Sequence, residues 1–146
     1  MTRILAVDWG ERRIGLAVSD PQGIIATGLA TLEVRSLEDA LTRVAGVAAE
    51  TGAERIVVGM PLLMSGERGE AARTAEAFAT ALRRRVNVSV DTYDERLTST
   101  ISQRRLREVG VRTGQARGRV DQGAAVALLE SYLLWLQSRR DPEPQA

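Results

Sequence analysis

From Ile4 to Asp20 the chain reads as two short apolar runs, Ile4-Leu5-Ala6-Val7 and Ile14-Gly15-Leu16-Ala17-Val18, separated by a polar segment that contains Gly10. This pattern predicts a β-hairpin. The first run has no polar residue on either face, so it suits a strand covered on both sides, and the hairpin must lie inside a sheet. The run stops on a carboxylate, Asp8. A charge at the end of a central strand calls for a partner. Asp8 either caps its own turn, as Asp often does before Gly, or serves as a metal ligand or phosphate-site acid.

A third strand is expected over Gly23–Thr31, after the turn Asp20-Pro21-Gln22-Gly23, giving three sequential antiparallel strands. Ser36 then begins an amphipathic helix that Gly52 ends, with Asp39 at capping-box spacing. Arg55–Gly59 is a short buried strand, and a strand-helix-strand crossover of this kind implies parallel pairing in the same sheet. The following loop, Met60 to Gly69, carries Met60, Leu62, Leu63 and Met64, which are expected to pack. A second amphipathic helix covers Ala71 to Leu82 and ends in Arg83-Arg84-Arg85, where the helix dipole accounts for the cations. Val86, Val88 and Val90 alternate as a strand leading to Asp91-Thr92-Tyr93-Asp94-Glu95-Arg96. A helix with a thin apolar stripe is expected over Thr98–Val109, then a mobile basic loop over Gly110–Val120. Asp121 is expected to start a last helix whose stretch from Ala124 to Leu136 is apolar nearly all round. An Asp in a first helical turn also has a plain role as a cap.

The fold class that follows is α/β, with three antiparallel strands and then a parallel β-α-β portion. At 146 residues and 44% apolar content there is material for one core. One domain is expected over 1–138, with a disordered tail over 139–146. Only four apolar residues follow Arg3 before Asp8, unlike a signal peptide, and no run approaches the roughly 20 residues of a membrane span. A soluble, cytoplasmic protein is expected.

The chain contains neither cysteine nor histidine. Serine-histidine hydrolysis, cysteine nucleophiles and the usual zinc sites are thereby excluded, leaving carboxylates as the main catalytic and metal-binding groups. Such hard oxygen ligands favour Mg²⁺ or Mn²⁺. All 20 basic residues are arginine and the net charge is only +1, so affinity for nucleic acid must come from local clustering. That cluster lies between Arg96 and Arg119, where seven arginines face one acid, Glu108.

In an open α/β sheet, function gathers outside the carboxyl ends of the parallel strands. Asp8, Gly59 and the Asp94-Glu95 pair all follow such ends. If the first, fourth and fifth strands are parallel neighbours, Asp8 and Glu95 face one cleft, and the helix carrying Asp121 can cross the same end. Three clustered carboxylates repel strongly without a cation.

Taken together, Asp8-Trp9-Gly10 with Ile14-Gly15-Leu16-Ala17, Val58-Gly59-Met60-Pro61-Leu62, Asp94-Glu95-Arg96-Leu97-Thr98 and Arg117-Gly118-Arg119-Val120-Asp121 with Ala124-Ala125 are similar to the YqgF family, also called RuvX. Its members are described as Holliday-junction-resolvase-like proteins and pre-16S rRNA nucleases. The match runs in order from residue 3 to about 136. The resemblance implies an RNase H-like fold, a five-stranded mixed sheet flanked by helices, and metal-dependent phosphodiester hydrolysis. By position, Asp8, Glu95 and Asp121 look like the acidic triad, holding two Mg²⁺ or Mn²⁺ ions about 4 Å apart. Arg96, Arg112, Arg117 and Arg119 are the expected phosphate contacts, and Trp9 and Tyr93 are candidates for stacking on a base or for burial. Arg117 and Arg119 stand where the family commonly has lysine. Ser65 stands where its loop often has an acid.

Nucleic acid is the expected partner, RNA before DNA, with the protein a monomer or homodimer and no membrane involved. Two rivals differ in class. The first hairpin also resembles the phosphate hairpin of actin, Hsp70 and sugar-kinase ATPases, which need two lobes where this chain supplies one. The other rival is a non-catalytic RNA-binding module of ribosome assembly, in which the acids are structural.

Overall fold

The computed structural model describes residues 2–97 and 117–140, with the side chains of 117–122 and 140 excepted. Five strands form one sheet: β1 (Ile4–Asp8), β2 (Arg13–Ser19), β3 (Ala26–Glu33), β4 (Arg55–Met60) and β5 (Ser89–Asp94). Their order across the sheet is β3-β2-β1-β4-β5. The β1–β2 and β2–β3 pairs are antiparallel, while β4 runs parallel to both β1 and β5. The three described helices are α1 (Leu37–Thr51), α2 (Glu70–Arg85) and α3 (Arg117–Arg140).

Alternation along the strands feeds two cores. Leu5, Val7, Ile56 and Val58 point to the side covered by α1 and α2, where Val44, Phe78 and Leu82 meet them. Ile4, Ala6 and Val57 point to the other side, under Leu128, Leu129 and Tyr132 of α3. This double cover is why β1 carries no polar residue before Asp8.

Several boundaries move from their expected places. The strand β3 starts at Ala26 because the Asp20 carboxylate takes the backbone N–H groups of Gln22, Ile24 and Ile25, which are then unavailable to a ladder. Those contacts also hold its carboxyl below the usual value, the bond from Ile25 most of all. The strand β5 starts at Ser89, since Val86 still donates its N–H to Leu82 at the end of α2. Strand pairing therefore carries Asp91, Thr92 and Tyr93 inside the sheet. At the start of α1, Ser36 accepts from the Asp39 N–H at 3.1 Å, and Asp39 accepts in return from Arg35 at 3.0 Å.

The last helix differs most. It begins at Arg117, so Arg117 and Arg119 are helical and the expected loop ends before them; no proline interrupts the stretch, and arginine is a good helix former. It runs through Arg140, past the expected end of the domain, with the Arg139 guanidinium stacked 4.7 Å from the Trp135 ring centre. Nor is it buried all round. Leu134 and Trp135 are 60% and 41% exposed, because a helix on one face of an open sheet buries one flank only. In the 60–69 loop, Met60 is buried and Leu62 packs beside it, but Leu63 and Met64 are exposed. The helix expected over Thr98–Val109 and the loop to Ala116, including Arg112, lie outside the described residues.

Candidate active site

Asp8 ends β1, Met60 ends β4 and Asp94 ends β5, so three parallel strands finish side by side with β4 in the middle. Glu95 follows directly in a single 3-10 turn, Glu95–Leu97. To reach Asp8 its side chain must cross β4, since strands two places apart are separated by about 9.6 Å. It crosses at Gly59. A Cβ on that residue would stand 2.3 Å from Glu95 Oε1 and 2.8 Å from Cγ, so only glycine leaves the passage open. The Glu95 carboxyl then hydrogen-bonds Asp8.

The electrostatic consequence is large. Burial, followed by the hydrogen bond to Asp8 and the negative charges of Asp8 and Asp94, pushes the Glu95 carboxyl up to about 8. Near neutral pH the pair shares a proton. Asp94 behaves differently, because Arg96 hydrogen-bonds it through Nε and Nη2 at 2.7–3.1 Å and through its backbone N–H at 2.9 Å, which holds its carboxyl below the ordinary value. Asp94 thus fixes Arg96, whose Nη1 also reaches the Met64 carbonyl in the 60–69 loop at 3.5 Å.

The third expected acid is placed by its backbone. Asp121 is the fifth residue of α3, too far inside the helix to cap it. Val57 and Gly59 share a face, as do Ala6 and Asp8, so the Asp8–Glu95 contact lies on the side of the sheet that α3 covers. Leu133 lies near Gly23 and Tyr132 near Arg55, both at the amino ends of the parallel strands. The helix residues eleven or twelve earlier lie about 17 Å along its axis, enough to pass the about 13 Å length of β1 and return to the carboxyl ends. Among the described residues no group of three acids is gathered as a metal cage.

Trp9 is engaged with protein: its ring stacks on Phe78 at 4.4 Å and its Nε1 donates to Thr74 at 3.2 Å. Tyr93 lies edge-on to Tyr132, with its hydroxyl 2.8 Å from Ser131 Oγ. Gly59 and Asp94 were expected at the carboxyl ends of the strands, but the part each plays was not. Gly59 ends a buried strand, where a glycine signals close approach by another group, and Asp94 stands two residues before an arginine it can neutralise.

Residues 2–134 match the sequence profile of a family described as RuvX: Holliday junction resolvase. The chain belongs to the RuvX family. It is 42% identical over 139 residues to a Chloroflexus aggregans protein named "Putative pre-16S rRNA nuclease", covering 95% of this chain and 96% of that one. A Mycobacteroides abscessus relative of the same name is 44% identical over 140 residues, covering 94% and 82%. Among solved structures the fold is similar to T. thermophilus RuvC in complex with a Holliday junction substrate, with a TM-score of 0.66 at 13% identity over 95% of this chain and 97% of that one. The yeast mitochondrial Holliday junction resolvase Ydc2 gives 0.54 at 12% identity, over 96% and 82%. These likenesses establish the RNase H-like fold, as the RuvX resemblance implied.

Proposed function

We propose that the protein is a divalent-metal-dependent nuclease that hydrolyses phosphodiester bonds in RNA, trimming the 5′ end of a 16S rRNA precursor in the cytoplasm. The observation that carries this reading is the contact of the Asp8 and Glu95 carboxyls across Gly59. Burying two carboxyls in contact forces one of them to keep a proton near neutral pH, which costs stability once that pH is passed, and a purely structural RNA-binding module gains nothing from keeping the pair. The donor set fits Mg²⁺ or Mn²⁺, being oxygen alone in a chain without cysteine or histidine. When bound, the ion supplies a water acidified for attack on phosphorus and positive charge at the leaving 3′ oxygen. The chain's own part is to hold Asp8, Glu95 and Asp121 around one point and to release the proton shared by Asp8 and Glu95. Arg96, Arg112, Arg117 and Arg119 bind the phosphates on either side, by charge and therefore with salt sensitivity.

RNA is favoured by the names of the relatives and by the near-neutral net charge, with arginines concentrated beside one site. Cleavage of a four-way DNA junction is the second reading, favoured by the family's description. A side-by-side assay at equal salt on a precursor rRNA fragment, unstructured RNA, unstructured DNA and a four-way junction separates them. The expected result is cleavage of the RNA substrates. Paired symmetric nicks in the junction, with little attack on single strands, would establish the second reading instead.

A further inference from the structure

The exposed side of α2 carries an open groove of roughly 640 Å³ that the chemistry above leaves unused. Arg73, Ala77, Ala81 and Arg84 recur at steps of four, four and three, which places them on one face of the helix. Alanines form the floor, so the arginines at either end stand above a low centre. Arg68, from the preceding loop, closes the rim and is ion-paired with Glu76, the acid of the lining. Three arginines against one glutamate leave a net charge of +2.

The neighbouring cations have other work. Arg83 donates to the Val90 carbonyl at 2.9 Å, and Arg85 binds Thr42 and Glu38. Arg73 and Arg84, in contrast, are in no ion pair among the described residues. The groove lies on the opposite face of the sheet from the Asp8–Glu95 contact, but its Arg73 end comes up beside the carboxyl end of β1. Thr74, next to Arg73, holds the indole of Trp9, which follows Asp8. The loop that carries Arg68 lies against Arg96 at Gly66, where an added Cβ would be 3.4 Å from Nη1.

We propose that this groove is a track for the phosphate backbone of the RNA strand running away from the site. The inference rests on the nuclease reading. Arg73 and Arg84 are about 16 Å apart along the helix axis, the rise of about five nucleotides of one stacked strand at about 3.4 Å each. A floor of small side chains lets a backbone ridge settle between them, while guanidinium groups match phosphate geometry.

The test is fluorescence anisotropy in EDTA, which prevents cleavage, across a salt series, with a long single-stranded RNA and one too short to reach α2. Replacing Arg73 and Arg84 together with Ala should lower the slope of log K against log salt by about 1.4 for the long RNA, at about 0.7 per phosphate contact. Binding of the short RNA should change little, and Arg73→Lys with Arg84→Lys should restore most of the slope. Arg43→Ala with Arg139→Ala removes the same charge elsewhere and should leave the slope unchanged. An unchanged slope in the Arg73/Arg84 variant, or an equal loss in the Arg43/Arg139 control, would overturn the track while the nuclease reading stands. Wild-type protein that binds no nucleic acid would overturn both.

Discussion

A glutamate that stays protonated near neutral pH makes the metal-free protein sensitive to pH in a defined window. Unfolded, Glu95 titrates near 4.5; folded, it titrates near 8, so between these values the unfolded chain has released a proton that the folded chain keeps. Stability in EDTA should therefore fall as pH rises from about 4.5 to about 8, by a few kcal/mol at most, and Glu95→Gln should flatten that fall. Urea midpoints across the window read this directly, and an equal decline in both proteins would show that Glu95 is not the group responsible. Asp94 and Asp20, whose carboxyls are held low, act below about 4 and leave the window clear. Gly59→Ala supplies a second check. A Cβ 2.3 Å from Glu95 Oε1 displaces a side chain rather than a backbone, so the variant should fold with an unchanged spectrum yet lose at least about tenfold in metal-dependent cleavage. Full activity would show that Glu95 need not cross β4. Asp8 and Glu95 were legible as acids at strand ends. The crossing over Gly59 was not, because it depends on β4 lying between β1 and β5.

The elements were legible in kind, and their boundaries shifted wherever a side chain or a cap competed with the ladder. Asp20 claimed the residues expected to open β3, and the end of α2 claimed those expected to open β5. Asp91 was expected just past the end of the strand. Its place inside β5 instead puts it under Tyr132, whose hydroxyl donates to it at 2.6 Å and is pushed up to about 12, mainly by burial. The run Arg83-Arg84-Arg85 likewise resolves into separate roles once its partners are known, and the helix dipole accounts for position without distinguishing them. The early start of α3 changes the expectation for the basic segment, since Arg117 and Arg119 sit one turn and half a turn before Asp121 on the helix that covers the Ala6–Val57 face of the sheet. Replacing Arg112, Arg117 and Arg119 with Ala should weaken binding of single-stranded RNA and lower the salt slope by up to about 2. An unchanged slope would mean that this segment does not contact phosphate.

For the molecule as a whole, the α/β class and the mixed five-stranded order follow from an antiparallel hairpin start joined to a parallel crossover. The sheet brings Asp8 and Glu95, 87 residues apart in sequence, into hydrogen-bonding contact, and α3 covers the same face. No described helix is long and apolar enough to cross a membrane. The central claim is that these acids form one metal-dependent hydrolytic centre. Its most direct test is cleavage of an end-labelled precursor rRNA fragment by wild-type, Asp8→Asn, Glu95→Gln and Asp121→Asn proteins, each shown to be folded, with Mn²⁺ or Mg²⁺ and then with excess EDTA. Cleavage by the wild type in metal alone, with each substitution lowering the rate by at least about a thousandfold, is the predicted result. Undiminished cleavage by folded Asp8→Asn protein, or by the wild type in EDTA, would contradict it.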